Sequence, residues 1–147
     1  SRAERLAIPC TVFTKAEYKD GTLLKKIQSL NTDWVILAGF LWLVPSDFIQ
    51  AFPQRIVNLH PALLPKFGGK GMYGHFVHEA VVEAGEKESG ITIHFVNEHY
   101  DEGGIIFQSS FQVLPTDTAE DVAKKGQILE HQDFPRVILK LVLPTTS

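Results

Sequence analysis

Asn58 and His60 are the side chains best placed to do chemistry, one residue apart in Arg55-Ile-Val-Asn-Leu-His-Pro-Ala-Leu-Leu-Pro-Lys66. The run opens as a short apolar strand and passes into a Gly- and Pro-rich loop that reaches Gly74. In an extended chain, positions i and i+2 point to the same side. The Asn58 amide and the His60 imidazole are therefore expected to face one space, with Val57 and Leu59 facing the other way. Pro61 fixes its own φ and biases His60 toward an extended conformation. The chemistry open to the pair is hydrogen bonding and proton transfer to a ligand. An isolated Asn-x-His is more often a strand-end hydrogen bond and a half-buried ring. Its place at the carboxyl end of a strand, where open α/β sheets bind ligands, favours the functional reading.

Asp101, in the turn 98–104, is the candidate partner of His60. A carboxylate beside an imidazole raises its pKa and keeps it protonated, although an Asp before Glu-Gly-Gly also serves as a plain turn residue. The loop 68–74 matches neither nucleotide-binding glycine pattern, and its length suggests a functional wall. His75, His78, His94, His99 and His131 complete the histidines. The i, i+3 spacing of His75 and His78 is not that of a zinc-binding helix, and there is no cysteine cluster, so no metal is expected.

Hydrophobic patterning supplies the elements that must hold these residues. Residues 1–6 resemble the tail of a helix, and 11–13 are β-prone. Leu23, Leu24, Ile27 and Leu30 make one helical face over 17–30. Trp34-Val-Ile-Leu-Ala-Gly39 is apolar without alternation, as in a strand buried on both faces of a parallel sheet. Ser46 can cap a short helix over 47–52, and 55–58 is the next strand. Residues 74–84 read as a helix, and 90–97 and 105–113 as an antiparallel pair. Residues 117–120 start a helix to about 132, and Pro135 is expected to start a last one. The order predicts an α/β fold: a doubly wound, mostly parallel sheet with antiparallel strands on the C-terminal side.

The 147 residues, 44% hydrophobic and 21% charged, suit one domain with a core. A net charge of -3 gives no case for nucleic acid or an anionic membrane as partner. The single Cys10 fits a reducing compartment. No run of membrane-spanning length or signal peptide is evident, so the expected location is cytoplasmic.

The segment 58–66 resembles the signature of the formyltransferases that use 10-formyltetrahydrofolate. Leu37-Ala-Gly-Phe40, Gly90-Ile-Thr-Ile-His-Phe-Val96 and Asp101-Glu-Gly-Gly-Ile-Ile-Phe-Gln108 match in the same order, and the likeness runs to Leu129-Glu-His131. Gly69-Lys-Gly-Met-Tyr-Gly74 favours the branch that formylates the amine of glycinamide ribonucleotide in purine biosynthesis. The resemblance implies 10-formyltetrahydrofolate as cosubstrate and Asn58, His60 and Asp101 as catalytic residues. It implies that Leu41, Trp42, Leu43, Val44 and Asn58 border the folate, and that Gly39, Pro61 and Glu130 contact the ribonucleotide substrate. On the same likeness Asn58 and a protonated His60 donate to the oxyanion of a tetrahedral intermediate. Asp101 keeps His60 charged and helps remove the amine proton through water.

Such proteins carry a phosphate-binding glycine loop after their first strand, and no match to it occurs in these residues. Residues 1–147 are thus expected to be a single formyltransferase domain lacking its N-terminal phosphate-loop βαβ segment, roughly 50–60 residues upstream of Ser1. A 10-formyltetrahydrofolate hydrolase and a non-catalytic folate-binding fragment are the alternatives.

Overall fold

The computed structural model describes residues 1–98 and 104–143. The chain divides into two compact units, Ser1–Thr32 and Asp33–Ser147.

The first unit holds three short helices: α1 (Arg2–Arg5), α2 (Lys15–Lys19) and α3 (Thr22–Ser29). Residues 11–13 form no strand. The helix expected over 17–30 is two helices. Thr14 and Glu17 form a capping box that starts α2 two residues earlier. Gly21, at φ 90°, then breaks the run, and the Asp20 carboxylate accepts from the Thr22 amide at 2.9 Å.

The second unit contains β1 (Val35–Leu37), α4 (Ser46–Ala51), β2 (Ile56–His60), α5 (His75–Glu83), β3 (Glu88–Phe95), β4 (Ile105–Gln112) and α6 (Ala119–Val142). Its strands form one mixed sheet in the order β1-β2-β3-β4. The parallel part is the β1–β2 pair, and β2–β3 and β3–β4 are antiparallel. The α/β class and the antiparallel C-terminal side agree with the sequence reading. β1 differs from it: it is an edge strand of this sheet, and Ile36 is 36% exposed on its face.

Among the described residues, two clusters of the core bear on the site. Val57 and Ile93, from the faces of β2 and β3 opposite the polar pair, pack with Val137 of α6, with Leu59, Phe95 and Phe134 around them. Val81, Val113 and Val122 form the second, with Phe67 and Phe111 against it. α6 therefore reaches from one cluster to the other, and this packing carries it through Pro135 without a break. The expected second helix is a continuation, since Phe134 and Val137 are both anchored in the first cluster. The cap of α6 is Thr118, boxed with Asp121; Asp117 instead accepts from the Leu114 amide at 2.8 Å and from Lys125 Nζ at 2.6 Å.

Candidate active site

β2 delivers Asn58 and His60 at its carboxyl end, where Pro61 stops the ladder. Antiparallel register sets His94 of β3 opposite Asn58, and Thr92 opposite His60. Directly opposed residues share a face, so the four side chains form one polar patch on the side away from Val57 and Ile93.

The hydrogen bonds of this patch define its polarity. His94 Nδ1 donates to the Phe95 carbonyl at 3.1 Å. In the neutral ring its Nε2 is then an acceptor, and the Asn58 Nδ2 amide donates to it at 3.2 Å. That bond fixes which end of the Asn58 amide is which. One N–H is used by His94, and the second has no partner among the described residues. His60 is 3% exposed, and its Nε2 donates to the Phe67 carbonyl at 2.8 Å. Phe67 sits in the left-handed region at φ 56°, which starts the glycine-rich loop.

Around this patch lies an open cleft of about 920 Å³, within the size range of small-molecule sites. Asn58, His60 and Pro61 line one wall. Gly39, Leu41, Trp42, Leu43 and Val44 line another, in the irregular segment after β1. Phe40 meets Trp42 edge to face at 5.9 Å, and Leu41, Trp42 and Leu43 are all exposed, an apolar surface open to a flat ligand. The glycine loop 69–74 forms a third side. Glu130 enters from α6, beside Gln127. Thus every site residue expected from sequence, apart from Asp101, borders one cavity. Asp101 lies outside the described residues.

Sequence reasoning missed His94 and His78. The alternation in 90–97 gave the side on which His94 projects, but only the β2–β3 register brings it to Asn58. His78, one turn into α5, lines the cleft with its Nδ1 buried and without a partner among the described residues. Burial, with the charge of His60 adding to it, pulls His78 below the ordinary imidazole range. Glu130 is shifted the other way: its half-buried carboxyl is raised by desolvation, against a smaller opposing pull from His131. A carboxyl held in this state hydrogen-bonds a neutral polar ligand well. No group of His, Cys, Asp and Glu able to hold a metal occurs among the described residues. No helix among them is long and apolar enough to cross a membrane.

Comparison with known proteins agrees with this geometry. The family profile "Formyl transferase" matches residues 1–138. The chain is 50% identical over 137 residues to a chloroplastic phosphoribosylglycinamide formyltransferase of Arabidopsis thaliana, covering 89% of this chain and 47% of that protein. It is 36% identical over 142 residues to the phosphoribosylglycinamide formyltransferase of Haemophilus influenzae, covering 93% and 65%. Among solved structures, glycinamide ribonucleotide transformylase 1 of Symbiobacterium toebii superposes with a TM-score of 0.84 at 37% identity, covering 93% of this chain and 65% of that one. The chain spans about half the length of the plant relative and about two thirds of the bacterial ones. The order of strands, the polar patch at the end of β2 and the family match lead to one conclusion: this chain belongs to the formyl transferase family.

Proposed function

We propose that the protein transfers a formyl group from 10-formyltetrahydrofolate to the amine of glycinamide ribonucleotide, a step of purine biosynthesis. The observation that carries this reading is the Asn58–His94 pair. It leaves an oriented amide N–H at the mouth of a cleft whose other wall is apolar and aromatic. The pteridine of the folate would lie against the segment 41–44, with its formyl group toward Asn58. Gly39, Pro61 and Glu130 would receive the ribonucleotide, and the carboxyl of Glu130 suits ribose hydroxyls.

The amine attacks the formyl carbon and forms a C–N bond, and the carbonyl electron pair moves onto oxygen. Asn58 Nδ2–H and the protonated His60 ring donate to that oxyanion. In the structure His60 Nε2–H is held by the Phe67 carbonyl, so the loop must yield this donor to the substrate. Asp101 supports the charge on His60 and takes the amine proton through water. The intermediate collapses with cleavage of the bond to N10, which leaves protonated as tetrahydrofolate. No step calls for a metal or a covalent enzyme intermediate. A cytoplasmic location is the accompanying reading. It rests on the single Cys10, and the plant relative is itself chloroplastic.

The test is an initial-rate assay of the full-length protein with both substrates. Tetrahydrofolate should form in step with the formylated ribonucleotide, and only when the ribonucleotide is present. Formate released at the same rate without it would instead identify a hydrolase.

A further inference from the structure

The turn that follows His60 is held by two side chains to which neither the family match nor the proposed chemistry gives a part. Thr92 is fully buried on β3, opposite His60 on one side and Gln108 of β4 on the other. Its Oγ1 donates to the Ala62 carbonyl at 2.7 Å and accepts from the Leu64 amide at 3.0 Å. Gln108 Nε2 donates to the same Oγ1 at 3.0 Å and to the Leu64 carbonyl at 2.9 Å. A hydroxyl has one donor and two acceptor sites, and a primary amide has two N–H groups. The hydroxyl is therefore saturated, and both N–H groups of the amide are used. Together they fasten residues 62–64 to the strand beside His60. Ala62 is fully buried and Leu64 nearly so, so their backbone groups have no water to turn to if the hydroxyl is lost.

We propose that Thr92 and Gln108 are positioning residues for His60. The turn they hold runs from His60 to Phe67, whose carbonyl is the partner of the His60 ring. Displacement of the turn shifts, through Pro61, the end of β2 on which the ring stands, and moves the carbonyl that holds the ring before substrate takes its place. The inference rests on the formyl-transfer reading for its kinetic consequence, but not for its geometric one. A purely structural role would cost stability alone. A positioning role lowers turnover at constant fold, because a misplacement of about 1 Å at a reacting group can cost roughly 100-fold.

The experiment compares Thr92→Val, Thr92→Ser and Gln108→Met in the full-length protein. Gln108 is itself exposed on β4, so Gln108→Met is the milder replacement, and circular dichroism shows which variants are folded before kcat is compared. Thr92→Val is nearly isosteric and removes all three bonds of the hydroxyl; Thr92→Ser keeps them. For Thr92→Val and Gln108→Met we expect kcat for formyl transfer to fall by roughly 10- to 100-fold. KM for the folate should change by less than about threefold, since the wall at 41–44 is untouched, and Thr92→Ser should restore most of kcat. The ¹⁵N resonances of the His60 ring, recorded without substrate, should shift in both variants and return in Thr92→Ser. Folded Gln108→Met protein with wild-type kcat and an unshifted His60 ring would overturn the proposal. A wild-type protein without transferase activity would count against the proposed function alone, and the His60 resonances would still decide the positioning claim.

Discussion

At the scale of single residues, the site is built on one defined amide. Asn58 is useful to an oxyanion only if its N–H, and not its carbonyl, faces the cleft. His94 enforces this, because its own Nδ1–H is committed to the Phe95 carbonyl. His94→Leu should therefore lower formyl transfer by about tenfold or more while leaving folate affinity within a few fold, measured as kcat against Kd for a folate analogue. Equal loss of both would show that His94 acts only by shaping the cleft. The shared direction of Asn58 and His60 into the cleft was legible from sequence, because strand alternation and Pro61 fix it locally. The partner of Asn58 was not, since it is chosen by which residue of a strand 36 positions away comes opposite it. Sequence alternation gives the face but not the register. A similar limit applies to His78, whose burial depends on where α5 docks.

Among the elements, β3 is the one on which the site depends most. It supplies His94 and Thr92 on one face and Ile93 on the other, and a register shift against β4 at Ile93/His94 alters its course beside the patch. Gly90 lets neighbouring backbone approach β3 closely. An added Cβ there would overlap the Ser109 carbonyl and come within 2.8 Å of Leu63 Cδ2, in the turn below His60. Gly90→Ala is thus expected to destabilise by about 1–3 kcal/mol, the usual range for overpacking, read as a lowered denaturant midpoint. An unchanged midpoint would mean that β3 and β4 can part at no cost. The helices illustrate both success and failure of pattern reading. The apolar face of α3 and the span of α5 were evident in the sequence. The division between α2 and α3 was also encoded, in Thr14-x-x-Glu17 and Gly21, but a continuous apolar face outweighed it. Pro135 misled for the opposite reason: a local breaking signal lost to the tertiary packing of Phe134 and Val137.

For the molecule as a whole, the cleft has consequences for stability against pH. His78 is depressed in the folded state, so its contribution is complete above the ordinary value of 6.5 and is lost as pH falls through the folded value. Glu130 is raised, so its contribution is complete below 4.5 and is lost as pH rises through the folded value. The two slopes oppose each other, and single variants separate them. The gain in Tm of His78→Gln over wild type should grow as pH drops below 6.5. The gain of Glu130→Gln should grow as pH rises above 4.5, at the expense of ribonucleotide affinity. Thermal melts across this range, with flat differences for either variant, would remove that group from the account. Fold class and the cleft's membership were readable because they follow from the order of elements and from residues at strand ends. The desolvation of Glu130 and His78 was not, because it depends on the packed cleft as a unit.

The central claim is that Asn58, at the end of β2, stabilises the transition state of formyl transfer. Single-turnover transfer of a ¹³C-labelled formyl group from 10-formyltetrahydrofolate tests it most directly. In the wild-type full-length protein the label should appear on the amine of glycinamide ribonucleotide. In Asn58→Ala the rate should fall by roughly 100- to 1,000-fold, the effect of removing one oxyanion donor, with folate still bound. Transfer by Asn58→Ala at the wild-type rate, or label that reaches only formate in the wild type, would contradict the claim.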